Sequence, residues 1–223
     1  MKSTIQVYAT FDVETTGLKS RSHYYTPKGK KESIQGNAGI IEIAICPMNG
    51  ELEDLPEYNS GIISLAEDRE INQGALDANG ISREQIKNGK DPKEVAHEIK
   101  NYFKKLNKTA NKIILCGHNI DKFDIPFLVD FLSEQSVDLS KLVNEDYTID
   151  TMWRAREVWP EQVNYKLGTC CQTAGISQMD AHRAINDTRA NKELVKYLLL
   201  GERGQRGSGE AVEGNKFRKT FEF

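Results

Sequence analysis

The heptapeptide FDVETTG, residues 11–17, ends an apolar run that begins at residue 5 and predicts the first strand of the fold. Successive side chains of a strand point to opposite faces, so Phe11 and Val13 turn toward a core. Asp12 and Glu14 then present two carboxylates to one volume on the other face. Like charges this close raise each other's pKa unless a cation lies between them, and carboxylate oxygens suit Mg²⁺ or Mn²⁺. The heptapeptide therefore indicates a metal site, with two solvated acids at a strand end as the alternative.

Strand and helix patterns alternate along the rest of the chain. Short apolar runs predict further strands at residues 39–46, 61–65, 112–116 and 147–150. Asp91-Pro92 is a typical helix start, because aspartate caps a helix and proline suits the first helical position. Apolar residues at helical spacing follow it, and the same spacing recurs at residues 123–131, 151–158, 167–174 and about 184–200. The alternation predicts an α/β fold.

The composition excludes several classes of protein. The chain has 223 residues, a formal net charge of -3 and 38% hydrophobic residues, which suit one soluble domain with an appended tail. No apolar run approaches the roughly 18 residues of a membrane span, and the first residues lack a signal-peptide core. The four cysteines form no CxxC pair, so neither a disulfide framework nor a zinc site is indicated. We expect a reduced, intracellular and cytoplasmic protein without membrane contact, encoded by a cell or by a phage.

The composition changes at Gly201. From there the chain is rich in glycine and charge, as is typical of a flexible linker, yet the last seven residues contain three phenylalanines. We therefore expect a domain over residues 1–200 and a flexible tail with an aromatic C-terminal peptide over residues 201–223. The aromatic peptide either folds back on its own domain or docks into a partner such as a polymerase, a sliding clamp or a helicase.

Two later segments carry further polar chemistry. Residues 116–124, CGHNIDKFD, follow a buried strand and open a helix, which places Asn119 and Asp124 where α/β sheets hold their sites. Residues 181–187, AHRAIND, open the last long helix. Positions five apart in a helix are about 140° out of phase, so His182 and Asp187 converge only if His182 precedes the helix. Taken alone, Asp124 is also typical of a helix-start charge and His182 of an exposed polar residue.

In this order, the three segments resemble the DEDDh (DnaQ-like) 3′-5′ exonuclease family, which includes the proofreading epsilon subunit of bacterial DNA polymerase III. The resemblance covers about residues 5–200, and residues 40–44 and 164–170 are similar to further segments of the family. It implies a ribonuclease H-like α/β fold with a mixed, mainly five-stranded sheet flanked by helices. It also implies a metal-dependent enzyme that removes nucleoside 5′-monophosphates from a 3′ end.

The resemblance implies a role for each of five residues by their position in the motifs. Asp12 would bridge two divalent cations, either Mg²⁺ or Mn²⁺. Glu14 and Asp187 would ligate the cation on the side of the nucleophile, and Asp124 would serve the other. His182 would be the general base, because an imidazole with a pKa near neutrality suits proton removal from the attacking water.

A second group of residues is expected to contact the single-stranded 3′ end. The turn after the first strand lies where the terminal nucleotide would enter, although it is also typical of a simple chain reversal. The connection over residues 19–37 carries five basic residues against one acid, which favours phosphate binding, with a solvated loop as the alternative. The predicted substrate contacts are Thr15, Thr16, Gly17, Asn119, Lys28, Lys30 and Lys31.

Three functions remain open on the sequence. The leading hypothesis is a 3′-5′ exonuclease acting on DNA, either as a proofreading subunit or as a stand-alone nuclease. The second is an RNase of the same family that trims RNA 3′ ends or oligoribonucleotides, because the groups that would read a 2′-hydroxyl are not evident. The third is a non-catalytic nucleic-acid-binding module, against which all four acids and His182 are present.

Overall fold

A mixed five-stranded sheet forms the centre of the protein, in a computed structural model that describes residues 5–21, 23–25, 31–33, 36–108, 110–177 and 183–207. The strands are β1 (Ile5–Thr15), β2 (His23–Tyr25), β3 (Lys31–Ser33), β4 (Ile40–Asn49), β5 (Tyr58–Asn59), β6 (Ala110–Gly117) and β7 (Val143–Asp150). The order in the main sheet is β5-β4-β1-β6-β7, and β2 pairs with β3 separately. The predicted ribonuclease H-like α/β architecture is confirmed.

The middle strand, β1, pairs with a neighbour on each side. It runs antiparallel to β4, where Glu14 stands opposite Glu42, and parallel to β6. β7 is parallel to β6, with Asp150 opposite Gly117. The carboxyl ends of β1, β6 and β7 therefore meet at one edge of the sheet, where α/β proteins hold their sites.

Helices cover both faces of the sheet. Those in the described residues are α1 (Gln73–Asn79), α2 (Arg83–Lys87), α3 (Pro92–Leu106), α4 (Asp124–Glu134), α5 (Thr151–Val158), α6 (Leu167–Thr173) and α7 (Ala184–Gly207). As predicted, Asp91 caps α3 by accepting a hydrogen bond from the Lys93 amide, and Pro92 occupies the first turn.

The alternation along β1 divides its side chains between two cores. One face packs against α3 and α4 in a cluster that includes Phe11, Val13, Phe103 and Phe127. Burying one such side chain contributes about 1.5 to 3 kcal/mol. On the opposite face, Tyr8 packs in a cluster that also holds Val195 of α7 and Cys116 of β6. Even-numbered residues of β1, Asp12 and Glu14 among them, therefore point toward the side that α7 covers.

Two element boundaries differ from the sequence prediction. The predicted strand at residues 61–65 is wrong: pairing with β4 occurs earlier, at Tyr58–Asn59. The reason is Gly61, whose φ of 68° interrupts the extended run, so Ile63 forms an isolated bridge with Lys90 and one backbone hydrogen bond to Ile41 of β4. Helix α7 continues to Gly207 rather than ending near residue 200, because a helix already formed adds further turns at little cost.

The four cysteines are buried and unpaired, as expected for reduced packing residues. Burial raises the pKa of the Cys171 thiol to about 11, which keeps it protonated and unreactive. Among the residues that the structure describes, no helix is long and apolar enough to cross a membrane.

Candidate active site

Three carboxylates converge where β1 meets the beginning of α7. One oxygen from each of Asp12, Glu14 and Asp187 lies within 4.8 Å of the other two. The strand places the first two on one face, and α7 covers that face, so its first turn brings the third. An acid in the first turn is also favoured by the helix dipole.

An ion pair fixes the start of α7 against the sheet. The Arg183 guanidinium donates to both carboxylate oxygens of Glu42, from Nε at 3.1 Å and from Nη2 at 2.9 Å. Glu42 is fully buried on β4, directly opposite Glu14. The Arg183 carbonyl in turn accepts a hydrogen bond from the Asp187 amide at 3.1 Å. Arg183 therefore connects the position of Asp187 to that of Glu14.

Asp124 reaches the same region from the other core. It is buried at the first position of α4, and its Oδ1 accepts a hydrogen bond from the Val13 amide at 3.2 Å. Val13 lies between Asp12 and Glu14 on β1, so this bond attaches α4 to the strand that carries both acids. In the part of the chain that the structure describes, Asp124 is not within the 4.8 Å cluster, but it adjoins it electrostatically.

The charges of these acids are poorly compensated. Burial, and then the neighbouring carboxylates beginning with Asp124, raise the pKa of Asp12 well above its usual range. Burial and repulsion by Asp187 and Glu42 raise the pKa of Glu14 to about 7, against a lowering by Arg183. Burial raises the pKa of Asp124 to about 8, although the Val13 amide opposes this. An all-carboxylate set with unbalanced negative charge fits hard divalent cations such as Mg²⁺ or Mn²⁺.

The turn that follows β1 is held from within the protein. The Thr16 hydroxyl donates to the Glu70 carbonyl at 2.6 Å and accepts from the Gly39 amide at 3.0 Å. The Thr16 amide donates to the Gly39 carbonyl, and the Thr15 hydroxyl donates to the Gly17 carbonyl. These bonds favour a turn-forming role for Thr16, whose side chain is fully buried.

Sequence reasoning missed the residue that follows this turn. Leu18 is 83% exposed and directly follows Gly17 in the chain. Its only sequence signal is an apolar residue immediately after a motif, which a single sequence does not distinguish from any surface leucine.

Asn119 lies at the carboxyl end of β6 in a left-handed conformation, with φ of 60°. Its amide donates to Asp150 Oδ1 at 3.0 Å, and the same oxygen accepts from the Met152 amide at 2.9 Å, which caps α5. Asp150 therefore holds the Asn119 loop and α5 together. It was not among the predicted site residues, although an acid followed by threonine at a strand end is a typical helix cap.

His118 is a structural residue of the same loop. One ring nitrogen lies 3.0 Å from Thr151 Oγ1 and the other 2.8 Å from the Tyr165 carbonyl. Burial lowers the pKa of His118, so the neutral ring holds these two partners. It thereby joins β6, α5 and the segment before α6.

Four predicted site residues have no described side chain. His182, Lys28 and Lys30 lie outside the described residues, and Lys31 is described only as part of β3. Their predicted roles stay predictions. The last 16 residues of the tail, 208–223, also lie outside.

Comparison with known proteins gives matches in sequence and in fold. Residues 10–195 match the family model RNase_T, described as Exonuclease. The DNA polymerase III PolC-type of Bacillus cereus is 30% identical over 197 residues, which are 87% of this chain and 11% of that protein. The corresponding polymerase of Oceanobacillus iheyensis is 31% identical over 194 residues, 86% of this chain. The chain thus spans about a tenth of the length of these relatives.

Solved structures share the fold. The crystal structure of E. coli Exonuclease I in complex with a dA16 oligonucleotide has a TM-score of 0.69 and 18% identity, covering 90% of this chain and 42% of that one. The ExoI/SSB-Ct complex has a TM-score of 0.66 and 17% identity, covering 91% of this chain and 43% of that one. At these identities the likeness establishes the fold alone.

Proposed function

Because the chain belongs to the DnaQ-like, DEDDh exonuclease family, we propose that it is a metal-dependent 3′-5′ exonuclease acting on DNA. It would release nucleoside 5′-monophosphates from single-stranded 3′ ends. The observation that carries the proposal is the convergence of Asp12, Glu14 and Asp187 within 4.8 Å, with pKa values raised at the first two. A folded protein holds such acids together at a cost, which a bound cation removes.

Asp12, Glu14 and Asp187 would hold the divalent cations, with Asp124 beside them. Two such cations would stabilise the negative charge that develops when a phosphodiester is hydrolysed. Arg183 keeps Asp187 in place through Glu42, and the Val13 amide orients Asp124. His182 would take a proton from the attacking water, a role that rests on its match to the family motif.

The substrate contacts follow from the surroundings of the acids. Leu18 offers an exposed apolar surface next to the site, suited to the face of a terminal base. Asn119 and the Gly17 turn lie at the same edge of the sheet as the acids. The basic residues Lys28, Lys30 and Lys31 are proposed to bind backbone phosphates, in which case their triple alanine variant flattens the salt dependence of binding.

The comparison with relatives favours DNA over RNA as the proposed substrate. They are DNA polymerases III, and the solved Exonuclease I structure holds a DNA oligonucleotide. Proofreading beside a polymerase is the corresponding cellular role. Residues 201–223 would then serve to reach the polymerase, a clamp or a helicase, and their deletion should abolish capture of that partner while sparing activity on short oligonucleotides.

The deciding experiment digests matched 5′-labelled single-stranded DNA and RNA with Mg²⁺, with Mn²⁺ and with EDTA. We expect a ladder that shortens from the 3′ end of DNA, with either cation and not in EDTA. Asp187→Asn should abolish the ladder, whereas Asp54→Asn, an acid outside the site, should leave it intact. Faster loss of RNA would assign the substrate to RNA, and cleavage in EDTA or by Asp187→Asn would overturn the proposal.

A further inference from the structure

An aromatic and cationic surface lies beside the candidate site on α5. Trp153 is 36% exposed, one of the few large apolar side chains exposed in the described residues. Helix α5 buries Thr151 and Ala155, and Trp153 lies about 160° to 200° around the helix from both, so it faces away from the core. Core packing therefore does not account for a tryptophan here.

Two cations lie against this indole ring. The Lys122 ammonium is 5.1 Å from the ring centroid, and the Arg156 guanidinium is 4.7 Å from it. Arg156 is also 5.2 Å from the Tyr165 ring. Glu157, the next residue in the chain, lies 3.8 Å from Arg154. The surface thus combines two positive charges with two aromatic rings on a chain whose net charge is -3.

The surface is tied to the loops that carry the site. Lys122 lies two residues before Asp124, on the loop between β6 and α4. Asp150 Oδ1 holds both the Asn119 amide and the first turn of α5, from which Trp153 projects. His118 contacts the Tyr165 carbonyl. These bonds fix the rings and cations relative to the sheet edge where the acids converge. None of the three bonds involves Asp12, Glu14 or Asp187.

From this arrangement we infer that Trp153, Lys122 and Arg156 form a binding platform for single-stranded nucleic acid. The inference rests on the proposed exonuclease function, since a 3′-terminal nucleotide at the acids leaves only the 5′ portion of the strand to reach α5. A base covers the indole ring when one flexible cation swings aside, and that cation then lies beside the phosphates. The platform holds upstream nucleotides and so acts on long substrates.

The chain has two tryptophans, which permits a direct optical test. Trp159→Phe leaves Trp153 as the single fluorophore, and Trp153→Phe leaves Trp159, which packs against Tyr197 at 5.8 Å, as the matched control. Both variants are titrated with a dT oligonucleotide of about 12 nucleotides in EDTA. We expect the oligonucleotide to quench Trp153 and to leave Trp159 nearly unchanged, because stacking on a base quenches indole emission.

Affinity and catalysis separate the platform from the site. Trp153→Ala should weaken binding of the 12-mer by roughly 5- to 150-fold, the range for loss of one stacked base, and Trp153→Phe should retain part of it. Arg156→Gln should reduce the slope of log affinity against log salt by about 0.7, as for one phosphate contact. Hydrolysis of the p-nitrophenyl ester of thymidine 5′-monophosphate, which is too short to reach α5, should be unchanged in all three.

Failure of the platform differs from failure of the proposed function. Unchanged affinity and unquenched Trp153, in an enzyme that still degrades the 12-mer, would overturn the platform alone. A wild-type protein that hydrolyses neither substrate would overturn the proposed function, and quenching of Trp153 would still decide whether the platform binds the strand. Loss of p-nitrophenyl ester hydrolysis in Arg156→Gln would place that residue in the catalytic site and contradict the platform.

Discussion

Two groups of acidic side chains lie along helix α7, and their pKa values are shifted in opposite directions. At its start, Asp187 lies within 4.8 Å of two further carboxylates, Asp12 and Glu14. Farther along, three basic residues of the same helix contact Asp54 and Glu57: Arg189, Lys192 and Lys196. The first group therefore brings three carboxylates together, whereas the acids of the second group form ion pairs with basic residues.

The pKa values record the difference. Burial opposes the charge of Asp54, but hydrogen bonds from Lys192 and Lys196, at 2.8 and 2.7 Å, outweigh it and lower its pKa. A hydrogen bond from Arg189 lowers the pKa of Glu57. At the site, burial and like charges raise the pKa of Asp12 and Glu14 instead. The pKa values of Asp54 and Glu57, which contact basic residues of α7, are therefore lowered, whereas those of Asp12 and Glu14 at the start of the same helix are raised.

The largest effect on turnover is expected when the site loses one of its acids. Asp12→Asn should lower turnover on single-stranded DNA with Mg²⁺ by at least about 10³-fold, because bound cations contribute several kcal/mol of charge stabilisation. In EDTA the same variant should melt a few degrees higher, since burial and Asp124 oppose the charge of Asp12. Turnover assays and calorimetry measure both. Retained activity, or a lower Tm in EDTA, would contradict the site assignment.

The raised pKa values at the site also predict how stability depends on pH. Glu14 and Asp124 have folded pKa values of about 7 and 8, above their unfolded values, so the folded protein binds more protons between pH 5 and 8. Stability of the metal-free protein should therefore fall as pH rises through this window, on the order of a few kcal/mol in total. Saturating Mn²⁺ should restore most stability at the high end. Scanning calorimetry in EDTA that shows a rising Tm across this window would refute the assignment, and Glu14→Gln should flatten the fall.

Arg183 forms an ion pair with Glu42, the buried acid opposite Glu14. Arg183→Ala should lower the free energy of unfolding by about 2 kcal/mol, less than for a fully buried pair because the arginine is 47% exposed. It should also weaken Mn²⁺ binding in calorimetry, since the start of α7 carries Asp187. Adding Glu42→Gln should recover part of the stability, because no buried charge then lacks a partner. A double variant less stable than Arg183→Ala would contradict this account.

The smallest loss of stability is expected when Asp54, which forms ion pairs with Lys192 and Lys196, is replaced. Asp54→Asn should lower the free energy of unfolding by about 1 kcal/mol, because the Asp54 side chain is 53% exposed and its buried partner Lys192 keeps Glu57 at 3.8 Å. Turnover should be unchanged. Chemical denaturation and the single-strand assay measure the two. A loss of activity comparable to that of Asp12→Asn would show that the two acidic groups are coupled.

Much of the site was foreseeable because its signals are local. The strand period alone places Asp12 and Glu14 on one face, and the cap at Asp91 sets the start of α3. The order of the motifs then indicates the family. Asp150 and Trp153 were not foreseen, because their importance comes from contacts with loops distant in the sequence, such as the bond between Asp150 and the Asn119 amide.

The sequence by itself determined the α/β class, the carboxylates on β1 and the acid at the start of the last helix, because each depends on residues within a few positions of one another. Only the tertiary structure decided which face of the sheet α7 covers, and with it the meeting of Asp187 with Glu14. That meeting depends on pairs far apart in the chain, Arg183 with Glu42 across 141 residues and Val13 with Asp124 across 111. Such pairs form because the sheet brings their strands and helices together, and no local pattern records the partner of either residue.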